Sequence, residues 1–125
     1  MRSTIFYKSG IMCPEGDGEA ALENIAGRYG YGKCKEAAAE MQKELAKQKK
    51  NGSTITLTWS PYDSRATRYI WSDLAGREVG TNPVHVGVCY NGIVYCNIHP
   101  SGIPKRQWIS DFNYPGVKHV TETPF

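Results

Sequence analysis

Apolar residues recur every three or four positions in the first part of the chain, and this spacing predicts two amphipathic helices. The first helix is expected over about residues 19–28, with Asp17 before it as a candidate N-cap. The second is expected to begin around Cys34 and to end at Asn51-Gly52, a pair typical of a helix C-terminus. The apolar stripe of this second helix is formed by Cys34, Ala37, Ala38, Met41 and Leu45.

The apolar period then changes to two, which predicts β-strands. Apolar side chains alternate with threonines over residues 53–59, so this segment is expected to be a half-buried strand. Residues 66–73 are expected to form a second strand. The strongest local signal lies in residues 84–98, where two β-rich runs flank an Asn-Gly pair that suits a tight hairpin turn.

The remaining segments complete an order of helices first and antiparallel strands afterwards. Residues 74–83 are expected to form a loop, residues 99–112 a turn and a short helix, and residues 117–122 a last strand. This order predicts the α+β class. The length of 125 residues favours a single domain over residues 1–125.

Composition and charge place the chain among ordinary globular proteins, with 40% hydrophobic and 22% charged residues. The net charge of +3 is that of a slightly basic protein, whereas a nucleic-acid binder would concentrate more charge on one face. No apolar run is long enough for a membrane span, and the first ten residues carry too short an apolar stretch for a secretory signal. We therefore expect a protein that works in the cytosol or is delivered by something else.

The four cysteines form no Cys-x-x-Cys pair, so no zinc site, other metal site or cofactor is predicted. Cys89 and Cys96 would be diagonal neighbours in the hairpin. Their Cα atoms would then lie near or beyond the limit of ~7 Å for a disulfide. The sequence therefore favours free thiols.

Cys34 has two interpretations. One is structural, because a free cysteine on an apolar helix stripe packs as a small hydrophobic residue. The other is chemical, because the positive pole of a helix N-terminus stabilises a thiolate and lowers its pKa. The free N–H groups of that turn are also suited to donate to a developing oxyanion. Gly30 and Gly32 would let a substrate backbone approach closely.

A nucleophilic thiol needs a base, and His85 is the best candidate because it opens a strand at a sheet edge. With a two-residue turn, His85 pairs with Ile98, and positions 85, 87 and 89 share a face with positions 94, 96 and 98. Cys96 is then diagonal to His85, and Asn97 points to the other face unless a bulge shifts the register. The residue that orients the imidazole therefore stays open.

Two segments resemble the papain fold toxin 2 group, which comprises papain-fold toxin domains of bacterial polymorphic toxin systems. The first is GKCKEAAAEMQKEL, residues 32–45, and the second is NPVHVGVCYNGIVYCNIHPSGIPKRQWISDF, residues 82–112. The helix with its cysteine is a weak signal, and the second segment is the more specific one. The resemblance covers roughly residues 20–113.

The resemblance implies a papain-like fold in which N-terminal helices, one of them bearing the cysteine, pack on an antiparallel sheet. It also implies Cys34 as the nucleophile and His85 as the general base. The family usually has an acid where this chain has Cys96, so the third catalytic member is Asn97, Cys96 or none. An inactive enzyme that keeps the fold is a further alternative. His99 is expected to hold the turn.

The implied activity is cysteine-dependent acyl transfer, as a peptidase, an amidase or a deamidase acting on protein or peptidoglycan amides. The resemblance further implies an antibacterial effector with a cognate immunity protein as partner. It would be made in the bacterial cytoplasm and delivered by a separate system or a larger carrier protein. The three tryptophans, Trp59, Trp71 and Trp108, are all expected to serve packing.

Two other functions stay open. One is a toxin of this fold that cuts transfer or ribosomal RNA. This hypothesis rests on the excess of basic over acidic residues, the three histidines and the eight tyrosines. In that case nucleic acid would be the partner. A non-catalytic binding module is the third hypothesis.

Overall fold

A computed structural model describes residues 18–60 and 69–125. The described part contains three helices: α1 is Gly18–Ala26, α2 is Cys34–Lys47 and α3 is Lys105–Asp111. Both N-terminal helices and the short helix near residue 105 were expected, and α2 begins at Cys34 as the apolar stripe predicts. The first helix is two residues shorter than expected at its C-terminus. The predicted N-cap, Asp17, lies outside the described residues.

The C-terminus of α2 differs from the prediction. The chain leaves the helix at Lys49, which adopts the left-handed conformation with φ 58°. The N–H of Lys50 donates to the carbonyl of Leu45 over 2.9 Å, and the N–H of Lys49 donates to that of Ala46 over 3.0 Å. This is a Schellman motif with lysine at the position that usually holds glycine. The expectation that Asn51-Gly52 caps the helix is therefore wrong.

The described residues form eight strands, all with antiparallel pairings. In chain order they are β1 Ser53–Ser60, β2 Ile70–Ser72, β3 Arg77–Gly80, β4 Val84–Tyr90, β5 Ile93–Tyr95, β6 Ile103–Pro104, β7 Phe112–Asn113 and β8 Val117–Pro124. A five-stranded sheet has the order β6-β5-β4-β1-β8, and a three-stranded sheet has the order β3-β2-β7. Helices packed on antiparallel sheets confirm the α+β class.

The segment expected to be a loop, residues 74–83, contains β3. Gly76 takes φ 67°, and its N–H donates to the carbonyl of Ser72 over 2.8 Å. This turn reverses the chain and lets Arg77 pair with Ser72. The expectation of a loop is therefore wrong for residues 77–80. Of the predicted strand over residues 66–73, β2 occupies the described end, and residues 66–68 lie outside the described part.

The hairpin forms with the expected turn. Asn91 and Gly92 both have positive φ values, 55° and 80°, as a type I′ turn requires, and Tyr90 pairs with Ile93. The pairing stops at Val88 and Tyr95, so the predicted partnership of His85 with residue 98 does not form. As a result, residues 84–87 of β4 have no partner from β5.

Two hydrophobic cores lie on the two faces of the five-stranded sheet. On the helix side, alternate residues of β4 pack against α1 and α2, and the buried members are Leu22, Ile25, Ala26, Ala37, Ala38, Met41, Leu45, Val86, Val88 and Tyr95. The opposite side carries α3 and the three-stranded sheet, and the buried members there include Ile55, Leu57, Trp59, Ile70, Val79, Val94, Cys96, Trp108 and Phe112. No helix of residues 18–60 and 69–125 combines the length and apolar character needed to cross a membrane.

Candidate active site

Cys34 is the first residue of α2, and no side chain caps the N-terminus of this helix. The thiol packs at the margin of the helix-side core. Cys34, Cys89 and Cys96 are all free thiols, and Cys34 is the one of these three that is not fully buried. The local sequence explains the position, because Gly32 with φ 77° turns the chain into the helix just before it.

The thiol is bonded to the backbone of β4. The N–H of Val86 donates to the sulfur of Cys34, as do N–H groups at the start of α2. Since β5 ends at Tyr95, this part of β4 has no neighbouring strand on the β5 side. The start of α2 fills the gap, and the sulfur takes the place of an acceptor in the sheet.

The pKa of Cys34 is raised, which differs from the sequence prediction. Burial of the thiol raises it most, and the N–H of Val86, the charge of Lys35 and the N–H groups of the first helical turn lower it. The helix N-terminus therefore acts in the predicted direction, but desolvation outweighs it. In this structure Cys34 is a protonated thiol at neutral pH.

His85 is almost completely buried, with 2% of its surface exposed. Its ring centroid lies 4.2 Å from that of Phe112 and 5.6 Å from that of Trp108. The Nε2 atom has no hydrogen-bond partner in the described part of the chain. Burial, with a smaller contribution from the charge of His99, lowers the pKa of His85 to about 3, so the imidazole is neutral. A neutral imidazole has the protonation state that a general base needs, but a pKa of about 3 lies far below the working pH, so His85 is a weak base in this buried position.

The two predicted groups lie on different sides of β4 and meet at one pocket. Alternation along the strand directs Val86 to the helix side and His85 to the side of α3. Cys34 and His85 nevertheless both line a pocket of about 210 Å³ between α2, β3 and the start of β4. The thiol and the imidazole make no hydrogen bond with each other within the described residues. Ile70 and Val79 form an apolar wall of this pocket.

Asn97 points to the helix side, as the simple register predicts. Its Nδ2 donates to the carbonyl of Gly30 over 2.7 Å, which ties the end of the hairpin to the loop before α2. Its Oδ1 is buried and has no donor in the described residues. Asn97 therefore holds the segment that leads into Cys34, and it retains one free acceptor.

Cys96 faces the other side, within the core that contains Trp108. The indole N–H of Trp108 donates to its sulfur over 3.3 Å. Burial raises the pKa of Cys96 to about 11 despite this hydrogen bond. Cys96 is therefore a neutral thiol at physiological pH and supplies no negative charge to orient an imidazole.

Asp111, a buried carboxylate on the α3 side of the five-stranded sheet, was not predicted from the sequence. Its Oδ2 accepts hydrogen bonds from Ser72 Oγ and His99 Nε2, each over 2.6 Å, and its Oδ1 accepts one from the N–H of Leu74 over 2.7 Å. Burial raises the pKa of Asp111, but these hydrogen bonds together lower it below its usual range. An acid directly before Phe112, at the end of a short helix, was the signal in the sequence.

The same network supports the structural role expected for His99. Its carbonyl accepts hydrogen bonds from the N–H groups of Cys96 and Gly102, over 3.4 and 3.0 Å, while its ring is held by Asp111. The third histidine, His119, contacts Ser60 Oγ over 2.7 Å on the exposed edge strand. Among residues 18–60 and 69–125, no three His, Cys, Asp or Glu side chains are arranged to hold a metal ion.

Comparison with known proteins gives one match. A family model described as papain fold toxin 2 matches residues 17–113, which include α1, α2, the hairpin and α3. Neither the curated proteins nor the solved structures contain a significant match to the chain.

Proposed function

The chain belongs to the papain fold toxin 2 family, and from this membership we propose that it is a cysteine-dependent hydrolase acting as an antibacterial toxin. The observation that carries the proposal is that Cys34 and His85 line one pocket. Cys34 also has more access to solvent than the other two cysteines of the described residues. The papain-like α+β fold of the family places a cysteine at the start of a helix that packs on a sheet, as α2 does here.

In the proposed reaction, the sulfur of Cys34 attacks the carbonyl carbon of an amide or ester. As the S–C bond forms, His85 takes the thiol proton, and it then gives that proton to the leaving nitrogen or oxygen. Water cleaves the resulting thioester, releases the acid and restores the thiol. The N–H groups at the start of α2, which contact the sulfur in the resting site, would then donate to the oxyanion. A peptidase, an amidase and a deamidase all follow this course.

The protonation states favour proton transfer during the attack over a pre-formed ion pair. Burial holds Cys34 as a thiol and His85 as a neutral imidazole. The imidazole has a free lone pair, but its lowered pKa makes it a weak base in the resting site. The proton therefore moves only as the substrate carbonyl takes up the electron pair of the sulfur, when the negative charge of the forming oxyanion stabilises the imidazolium. This differs from enzymes in which a low thiol pKa keeps the nucleophile ionised.

Asn97 is proposed as the third member of the site. Its buried Oδ1 lacks a donor within the described residues, and an imidazole N–H is a donor of the required kind. Its Nδ2 already holds Gly30, four residues before the nucleophile. In this arrangement Asn97 positions the loop before the nucleophile. Because His85 lies on the other side of β4, a hydrogen bond from its ring to Asn97 Oδ1 would require the imidazole to turn towards the pocket. Cys96 lacks the charge for this role.

The biological setting is part of the same proposal. The substrate is an amide of protein or peptidoglycan in a competing bacterium, and a cognate immunity protein protects the producing cell. The toxin is made in the bacterial cytoplasm and is delivered by a separate system or a larger carrier protein.

Replacement of the nucleophile tests the proposal directly. In cells that lack the immunity protein, with the product directed to the cytoplasm or to the periplasm, the Cys34→Ala protein is expected to leave growth normal, while the unchanged protein kills the cells. The Cys89→Ala protein is the matched control, since Cys89 lies at the far end of β4, and it should stay toxic. Unfolding curves should show that Cys34→Ala is folded.

Two outcomes would overturn the proposal. One is full toxicity of the Cys34→Ala protein. The other is the appearance of specific transfer or ribosomal RNA fragments in cells that produce either form, which would replace hydrolysis of amides by ribonuclease activity.

A further inference from the structure

Three large aromatic side chains are exposed close to the pocket that contains Cys34. Tyr31 is 49% exposed, Tyr69 is 42% exposed and Trp71 is 46% exposed. Trp71 was expected to serve packing, and that expectation is wrong. Exposed aromatic residues that cluster next to a pocket are typical of a binding surface.

The fold brings these side chains onto one surface. Tyr69 and Trp71 are two residues apart and flank the buried Ile70, so they lie on the same outer face of the three-stranded sheet. Glu78 of β3 is directly opposite Trp71, which places its carboxylate on that face as well. Tyr31 joins them from the loop before α2. We call Tyr31, Tyr69, Trp71 and Glu78 the aromatic platform.

The electrostatics agree with this placement. The pKa of Tyr31 is raised by its partial burial and by the neighbouring Glu78 and Tyr69. The phenol of Tyr31 therefore lies within the field of the Glu78 carboxylate, although the two residues come from distant parts of the chain.

The platform is continuous with the pocket. Tyr31 lines the pocket together with Cys34. Ile70 and Val79 form an apolar wall of the pocket from the inner face of the three-stranded sheet. The other aromatic residues of the platform lie on the outer face of that sheet, so Tyr31 is the residue that connects the two surfaces. A chain that presents a carbonyl to Cys34 and leaves the pocket past Tyr31 would therefore meet the platform.

The aromatic platform carries one charge, the carboxylate of Glu78, while Lys35 and Glu36 both line the adjoining pocket. The carboxylate of Glu78 forms no ion pair within residues 18–60 and 69–125. Arg77 is adjacent, but its Nη1 donates to the backbone carbonyl of Glu78 over 3.4 Å. The faces of aromatic rings are also electron-rich and attract cations. The surface therefore favours a positive group and disfavours a phosphate.

We propose that the aromatic platform is a subsite for the ammonium or guanidinium group of a basic side chain in a polypeptide substrate. The proposal rests on the proposed function, because it assigns the substrate amide to the pocket and a nearby lysine or arginine to the platform. It narrows the substrate class to basic polypeptides.

Binding of short peptides to the Cys34→Ala protein tests the subsite without any turnover. The probes are blocked pentapeptides that contain glutamine and, at one neighbouring position, lysine, norleucine or glutamate. Norleucine keeps the alkyl chain of lysine and removes the charge. The indole N–H signals in an NMR titration report the site, since Trp71 is exposed while Trp108 is buried and bonded to Cys96.

The lysine peptide is expected to shift the Trp71 signal and to bind about tenfold more tightly than the norleucine peptide, in line with a desolvated cation–π contact and a carboxylate partner. Glu78→Gln is expected to reduce this ratio by several fold. The matched control is Glu23→Gln on the exposed face of α1, which should leave the ratio unchanged.

Equal affinities for lysine and norleucine peptides would overturn the proposal, as would no binding at millimolar concentration or tighter binding of the glutamate peptide. A Glu78→Gln protein that keeps the full lysine preference would do the same. A Trp71→Leu variant gives a second measure of the platform and should also lose the preference. Failure here is distinct from failure of the proposed function, which is decided by the toxicity of Cys34→Ala.

Discussion

The two faces of β4 are built in different ways, although they belong to the same seven residues. On the helix side, Val86 and Val88 meet α1 and α2 in a core that consists of apolar side chains. On the other side, His85 lies among aromatic rings in the same layer as the buried carboxylate of Asp111. The first face is held mainly by burial of apolar area, while the second also depends on the hydrogen bonds that the Asp111 carboxylate accepts.

This difference between the two faces explains the positions of the proposed nucleophile and base. The apolar face offers a helix N-terminus at its margin, and the sulfur of Cys34 lies there. The aromatic face desolvates His85 and keeps it neutral. The proposed nucleophile therefore comes from the margin of the apolar, helix-side core, and the proposed base comes from the aromatic core on the other side. The pocket lies where the edges of the two cores meet.

The largest effect is expected from removal of the buried acid. Asp111→Ala leaves the hydroxyl of Ser72, the ring of His99 and the N–H of Leu74 without their acceptor. The free energy of unfolding should fall by about 3–5 kcal/mol at pH 7, as for other broken buried charge networks. Chemical denaturation measures this loss.

The control on the helix side is Leu45→Ala, which should cost about 2–5 kcal/mol by leaving a cavity. Its deficit should not change with pH, whereas that of Asp111→Ala should shrink as the pH falls through the lowered pKa of Asp111. Identical pH dependence of both deficits would contradict the difference between the two faces.

A smaller effect is expected from an added methyl group on the aromatic face. A Cβ at Gly87 would lie 2.8 Å from Val94 Cγ1 and 2.9 Å from Trp108 Cζ2, so neighbouring groups must move. Gly87→Ala should therefore destabilise the protein near the upper end of the range of about 1–3 kcal/mol for overpacking.

Gly30 gives the matched comparison in the loop before the nucleophile. A Cβ at Gly30 would meet no atom within 4 Å, so Gly30→Ala should change the free energy of unfolding by less than about 0.5 kcal/mol. If Gly87→Ala were as mild as Gly30→Ala, the tight packing of Trp108 on β4 would be wrong.

The third effect is a pH dependence that only the aromatic face should show. His85 stays neutral in the folded protein down to a pKa of about 3, while the unfolded chain takes up the proton near pH 6.5. The unfolded state thus binds more protons below pH 6.5, and stability falls as the pH is lowered from 6.5 towards 3. The loss between pH 7 and pH 5 should be about 2 kcal/mol.

His85→Phe removes this contribution and keeps an aromatic ring against Phe112. The slope of unfolding free energy between pH 7 and pH 5 should therefore be flatter in this variant than in the unchanged protein. Parallel slopes would mean that the imidazole of His85 is protonated or exposed in the folded state.

The helix side was predictable from the sequence because its order is local. Residues at helical spacing from Cys34 to Leu45 are the ones that pack inward, and the alternation in β1 is the observed burial pattern. The Asn91-Gly92 pair fixed the hairpin turn, since positive φ values at both positions suit these residues.

The aromatic side was not predictable in the same way, because its contacts join residues far apart in the chain. Asp111 meets Ser72 across 39 positions, and no local pattern reports that pairing. The start of β3 depends on the same region, where the turn at Gly76 is held by the carbonyl of Ser72. Desolvation of Cys34 likewise depends on the packed neighbours, so the raised direction of its pKa could not be deduced from its place in a helix.

The peptide unit that joins His85 to Val86 links the two proposed reacting groups, by a covalent bond to one and by a hydrogen bond to the other. Its amide hydrogen is bonded to the sulfur of Cys34, and the imidazole is carried on the α-carbon at its other end. The side-chain torsions of His85 separate the plane of this peptide unit from the ring, and one hydrogen bond holds the sulfur against it. Insertions in the surrounding loops, or a lengthened turn elsewhere, would therefore leave the spacing of the pair almost untouched. A displacement of α2, by contrast, would break the N–H to sulfur contact at once.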